Sequence, residues 1–168
     1  MKRVVTVFII MMLFSASALM AQKKMKSPAA TAKGQVDGVN IEVKYHQPSA
    51  KGRKVMGGLV PYGEIWRTGA NNATTISFDQ DVKVEGKSLS KGTYSLFTIP
   101  GESEWTVIFN GNANQWGAYN YDKSQDVLRI TVKPVAISSN VEAFTIEVEP
   151  SDVALSWENT KVKFKVSK

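Results

Sequence analysis

The sequence predicts an all-β protein, an antiparallel β-sandwich of jelly-roll type with about nine or ten strands. Three observations carry this. Apolar and polar residues alternate with a period of two in segment after segment, turn residues separate those segments at short spacing, and no amphipathic helix longer than two turns is legible. A closed barrel is the alternative the same pattern allows.

Residues 1–21 read as a secretory signal. Lys2 and Arg3 precede an apolar run from Val4 to Phe14, and small residues follow up to Ala21. That run is shorter than the roughly 20 residues that span a bilayer. Cleavage after Ala21 or after Ala18 fits the small-residue rule. Residues 22–28 read as a basic flexible tail, with Lys23, Lys24 and Lys26, and residues 29–168 as one sandwich domain without internal repeats.

The 21 Lys and Arg against 15 Asp and Glu give a net charge of +6. Two of those cations lie in the signal and three in the tail, so from Ser27 onward the balance is nearly neutral. A nucleic-acid-binding domain wants a basic surface of its own, and this domain lacks the excess. The absence of Cys excludes disulfides, thiolate metal sites and a lipid-anchored lipoprotein. The expectation is a periplasmic or secreted protein with no membrane span after processing, no metal and no cofactor.

The strands follow in order. Asp37-Gly38 is a type I′ hairpin signal between strands near 30–36 and 39–46. Val82 and Val84, then Leu128, Ile130 and Val132, then Ile146 and Val148, then Val162, Phe164 and Val166 each alternate with charged or polar neighbours, the pattern of strands with one buried face. Tyr94–Ile99 and Trp105–Phe109 are apolar on both faces, as central or doubly covered strands are. Glu158-Asn159 reads as the bend between strands Val153–Trp157 and Thr160–Val166. Lys161, Lys163 and Lys165 form a solvated face that discourages edge pairing.

Two stretches break the rhythm, residues 46–72 and 110–125. Loops longer than roughly 12–15 residues in a compact domain tend to carry function. The first holds Lys51, Arg53, Lys54 and Arg67 with only Glu64 as a built-in partner. Guanidinium groups suit carboxylate, phosphate or sulfate, and Ser49, Thr68, Asn71 and Asn72 add neutral hydrogen bonds. The competing reading is that Arg67 bonds backbone carbonyls while Tyr62 and Trp66 plug the sandwich end. The second stretch mixes Asn110, Asn112, Asn114 and Gln115 with Trp116, Tyr119 and Tyr121, a composition that suits a sugar or another flat hydroxylated ligand. It suits an ordered covering loop equally.

Several segments resemble a family of exported bacterial proteins known as domain-of-unknown-function family 2911. The marks are Pro-Ser-x-Lys-Gly-Arg at 48–53, Leu-Val-Pro-Tyr-Gly-x-x-Trp-Arg-Thr-Gly-Ala-Asn at 59–71 and Gly-Thr-Tyr-Ser-Leu-Phe-Thr-Ile-Pro at 92–100. Glu-Trp-Thr-Val-Ile-Phe-Asn at 104–110 and Gln-Trp-Gly-Ala-Tyr at 115–119 extend the likeness across most of the domain. The resemblance implies export and a compact β-rich domain, and it carries no assigned activity.

The leading functional expectation is binding, without catalysis, of a small polar, anionic or glycan-like ligand between the two loops. Its contacts are Ser49, Lys51, Arg53, Trp66, Arg67, Asn71, Trp116 and Tyr119. A rival is a hydrolase with His46, the one imidazole, as base and Arg53 or Arg67 stabilising negative charge. It requires His46 to share a cleft with those arginines. A third reading is an envelope protein-interaction module anchored by Trp116 and Tyr119. No nucleophile elbow, phosphate-binding loop, dinucleotide fingerprint or zinc-protease helix motif is present. Glu64, Glu102, Glu104, Asp122 and Asp126 are the carboxylates a glycosidase would need, and most read more simply as turn or wet-face residues.

Overall fold

The computed structural model describes residues 25–168, so the signal segment 1–21 and the start of the tail lie outside the described residues. β1 (Ala29–Val36) and β2 (Val39–His46) form the expected hairpin. Asp37 and Gly38 take φ angles of 50° and 80°, the left-handed pair a type I′ turn demands. Two antiparallel sheets then face each other. The larger has the order β1, β2, β3 (Thr74–Phe78), β6 (Gly92–Ile99), β7 (Trp105–Asn110) and β8 (Asp126–Val132). The smaller runs β5 (Lys87–Leu89), β4 (Val82–Val84), β10 (Asp152–Ser167) and β9 (Val135–Val148). The fold is the β-sandwich the alternation predicts. Among the described residues no helix is long and apolar enough to cross a membrane.

Strand parity sets the core. Val39, Ile41, Val43 and Tyr45 of β2 point inward, while Glu42, Lys44 and His46 fall on the outer face. Opposite them pack Phe144, Ile146, Leu155, Trp157 and Phe164 from the long β9–β10 hairpin. Outside, Glu42 joins Lys33 at 2.6 Å and Lys44 at 2.7 Å. Hydrogen bonds from the two ammonium groups hold its carboxyl at a pKa of about 2.

The expected bend at Glu158-Asn159 is a correction. β10 runs unbroken from Asp152 to Ser167, and the local turn residues instead make an irregularity in the ladder. Its register with β9 shifts on both sides of Glu158, which takes φ 53°; the extra residues lie in β9, between Thr145 and Val141 and between Val141 and Ala136, so β9 bulges while β10 continues.

β6 and β7 are apolar on both faces because both faces are covered. Phe97 and Ile108 pair on the outer face of the larger sheet. They form a second buried cluster with Ala73, closed over by Ile65 from the first long loop and by Ala118 and Tyr121 from the second. The two loops are therefore walls of the molecule before they are anything else.

Candidate functional site

The first loop is built from two self-closing turns. At its start Lys51 and Gly52 take φ angles of 51° and 70°, and the Arg53 N–H closes the turn on the Ala50 carbonyl at 3.1 Å. Arg53 Nε donates to that same carbonyl at 2.9 Å, and its Nη2 donates to the Ser49 carbonyl at 2.9 Å. Val55, Met56 and Val60 then drop into the core, so the loop is anchored like a strand pair.

The second turn begins where Trp66 exchanges backbone hydrogen bonds with Thr98, extending the sheet beside β6 beyond the end of β3. Parity there sends Trp66 inward and leaves Ile65 and Arg67 on the other side. Trp66 stacks on Trp157 at 5.8 Å and meets Phe144 edge-on at 5.0 Å. Its Nε1 donates to the Gly69 carbonyl at 3.1 Å. Gly69 sits at φ 154°, and a Cβ there would lie 3.0 Å from the His46 carbonyl oxygen, so only glycine lets the turn pass this close to β2. Arg67 Nη1 donates to the Asn71 carbonyl at 3.1 Å.

Between these two turns lies a concavity of about 380 Å³, lined by Arg53, Trp66, Arg67, Asn71, Leu59 and Trp157 among others. Among the described residues no carboxylate lines it. Of five N–H groups on each guanidinium, two on Arg53 and one on Arg67 find acceptors among the described residues. Both planar cations therefore keep donors for an outside acceptor, above an apolar wall of two indoles.

The sequence-predicted contacts divide here. Arg53, Trp66, Arg67 and Asn71 come together. Ser49 contributes only its carbonyl, as the acceptor for Arg53. Lys51 is exposed and absent from the lining; its backbone N–H donates to Glu142 Oε1 at 2.8 Å. The second loop does meet the first. Asn72 bridges to Trp116, and the Ala73 N–H donates to the Gln115 carbonyl at 3.0 Å. Yet Trp116 and Tyr119 stand outside the concavity, 54% and 79% exposed. Tyr119 acts on it indirectly, with Arg67 seated 5.8 Å from its ring centroid.

His46 is elsewhere. It lines a separate cavity on the outer face of the larger sheet, and neither Arg53 nor Arg67 reaches that cavity. The shared cleft the hydrolase reading requires is not formed. Burial lowers the His46 pKa below 6.5, so the unfolded chain takes up the proton first as pH falls. Stability is therefore expected to be fully retained above pH 6.5 and to decline as pH drops through the window below it. With one imidazole in the chain, an NMR titration of its ring protons checks this; a midpoint at or above 6.5 contradicts it.

A polar network that sequence reading missed ties the second loop down. Asp126 accepts from Arg129 Nε at 2.7 Å, from the Tyr121 hydroxyl at 2.6 Å and from Asn110 Nδ2 at 2.9 Å. Asp126 is thus no wet-face residue: its side chain is 7% exposed. The available signal was Ser95 and Asn110, polar residues inside strands that otherwise read as buried on both faces; both are fully buried.

Residues 27–166 match the family described as "Protein of unknown function (DUF2911)". The chain belongs to this family. The DUF2911 match takes in both long loops and every segment on which the resemblance rested. No curated protein and no solved structure matches the chain. Family membership therefore brings no assigned chemistry to the two-arginine concavity, whose reading rests on its geometry. Among the described residues no group of three His, Cys, Asp or Glu side chains converges to hold a metal ion.

Proposed function

We propose that this chain is an exported β-sandwich that binds a small anionic molecule with a flat apolar body in the concavity between Arg53 and Arg67. The observation that carries the reading is two guanidinium groups sharing one carboxylate-free hollow walled by Trp66 and Trp157. Cations held against backbone carbonyls are pre-oriented, so a carboxylate or phosphate meets donors whose side-chain entropy is already spent. The half-buried Trp66 indole supplies apolar area for the rest of the ligand.

Phenyl phosphate, which joins both features, is the probe of choice. It is expected to raise the thermal midpoint of the purified protein saturably. Arg53→Ala and Arg67→Ala should each weaken its binding by roughly tenfold or more, the usual cost of a lost charge-assisted hydrogen bond. If phenyl phosphate, benzoate, citrate and sulfate all leave the midpoint unmoved, the reading fails.

A further inference from the structure

Trp116 and Tyr119 are the most exposed aromatic rings among the described residues. One such ring alone needs no explanation, but these two stand close together on a loop that is fastened in several places. Asn72 bridges to Trp116 through the backbone, and the Tyr121 N–H closes a turn on the Ala118 carbonyl at 3.2 Å. Ala118 and Tyr121 pack into the outer cluster. The rings are therefore displayed from an ordered backbone, and a ligand stacking on them costs little further ordering entropy.

This platform adjoins the arginine concavity through Arg67, whose guanidinium lies over the Tyr119 ring. Gly117 is buried against both: a Cβ there would lie 3.2 Å from Arg67 Nη1 and from the Tyr119 ring. The carboxylates of the second loop are occupied internally, Asp122 by Ser124 and Gln125 and Asp126 by the buried network. Asn71, which lines the concavity, donates from Nδ2 to the Ser27 carbonyl at 3.3 Å. The exposed Lys26 immediately precedes that anchor and adds a cation near the rim. Cations and displayed rings thus lie side by side.

We propose that the anion held by Arg53 and Arg67 is one uronate unit of a linear acidic glycan, whose neighbouring sugars lie on Tyr119 and Trp116. The inference rests on the anion-binding reading of the concavity and names its ligand class. A uronic acid joins a carboxylate, which suits the guanidinium forks, to a pyranose ring with C–H faces. Those faces match the Trp66 wall inside the concavity and the displayed rings outside it. Sugar hydroxyls both donate and accept, as do the amides of Asn114 and Asn120, exposed beside the two rings in the chain. A protein hot spot wants its anchor ring enclosed by other apolar contacts, and these exposed neighbours are amides.

The test is isothermal titration calorimetry of the purified protein with tetragalacturonate and tetramannuronate, their monomers, neutral cellotetraose and tetraglutamate, with phenyl phosphate in parallel. At least one uronate tetramer is expected to bind roughly tenfold or more tighter than its monomer and than cellotetraose. Trp116→Ala, made at an exposed position, should abolish the gain from chain length, and Trp116→Phe, which keeps a stacking face, should retain most of it. Arg67→Ala should weaken the tetramer by roughly tenfold or more. The inference is overturned if neither tetramer binds tighter than its monomer, if cellotetraose binds as well, or if Trp116→Ala keeps the gain. Tetraglutamate binding as tightly overturns it in favour of an acidic peptide. In each of these cases phenyl phosphate binding shows that the anion site itself stands. Failure of the anion reading looks different: phenyl phosphate and both monomers leave no heat of binding, and the glycan inference falls with it.

Discussion

Trp66→Ala is expected to destabilise the protein by about 3 kcal/mol, the low end of the range for removing a large aromatic from a core. The low end applies because the indole is half-buried. It touches Trp157, Phe144 and Trp105 in one aromatic cluster, with the Trp105 ring 6.4 Å away, and it closes the 66–69 turn through Gly69. Its loss opens a void where the first loop joins the sandwich, and it removes a wall of the arginine concavity. Chemical denaturation should therefore show a lower midpoint, and phenyl phosphate binding should weaken in the same variant. Trp66→Phe keeps most of the contact and should recover much of the stability. A loss below about 1 kcal/mol for the alanine variant would mean that the loop is not fastened by this residue.

Asp126→Ala should cost about 2–3 kcal/mol. Breaking a fully buried pair costs roughly 3–5 kcal/mol, but Arg129 is 34% exposed and water can solvate part of its freed charge. The buried donors have no such recourse. Asn110 Nδ2 keeps only the Asp122 carbonyl, and the Tyr121 hydroxyl loses its acceptor. Because Tyr121 packs on Phe97 at 5.1 Å, the cover over the outer cluster should loosen first. Limited proteolysis between residues 111 and 122 is the matching readout. An unchanged cleavage pattern with unchanged stability would show that the network is ornamental to the fold.

Much of this molecule was legible in its residues because strand parity is a local rule. The β1–β2 hairpin followed from Asp37-Gly38, and the inward row of β2 from alternation alone. The double-sided apolarity of Tyr94–Ile99 correctly pointed to covered strands, although only the folded chain shows that the two loops do the covering. Glu158 misled for a physical reason: a residue in a left-handed conformation makes a turn or faces a bulge with the same local chemistry, and the partner strand decides which. The site was legible in part. Arg53 and Arg67 were marked by charge, but their convergence depends on Trp66 pairing with Thr98, a contact between positions far apart in the chain. Lys51 looked equivalent to Arg53 and stands exposed, outside the lining. Trp116 and Tyr119 looked like ligand platforms and lie outside the arginine concavity. Asp126 looked solvated, because nothing in its own neighbourhood announces that Asn110 and Tyr121 will enclose it.

The central claim is that Arg53 and Arg67 hold one anion between them. The most direct measurement follows the arginine Nε–H resonances while phenyl phosphate is added to the purified, nitrogen-labelled protein. Arg129 serves as the internal control, since it does not line the concavity and is paired with Asp126. The account predicts that the Arg53 and Arg67 signals move together and saturate with one dissociation constant while Arg129 stays still. Signals that drift without saturating, or that move equally at all three arginines, would contradict it.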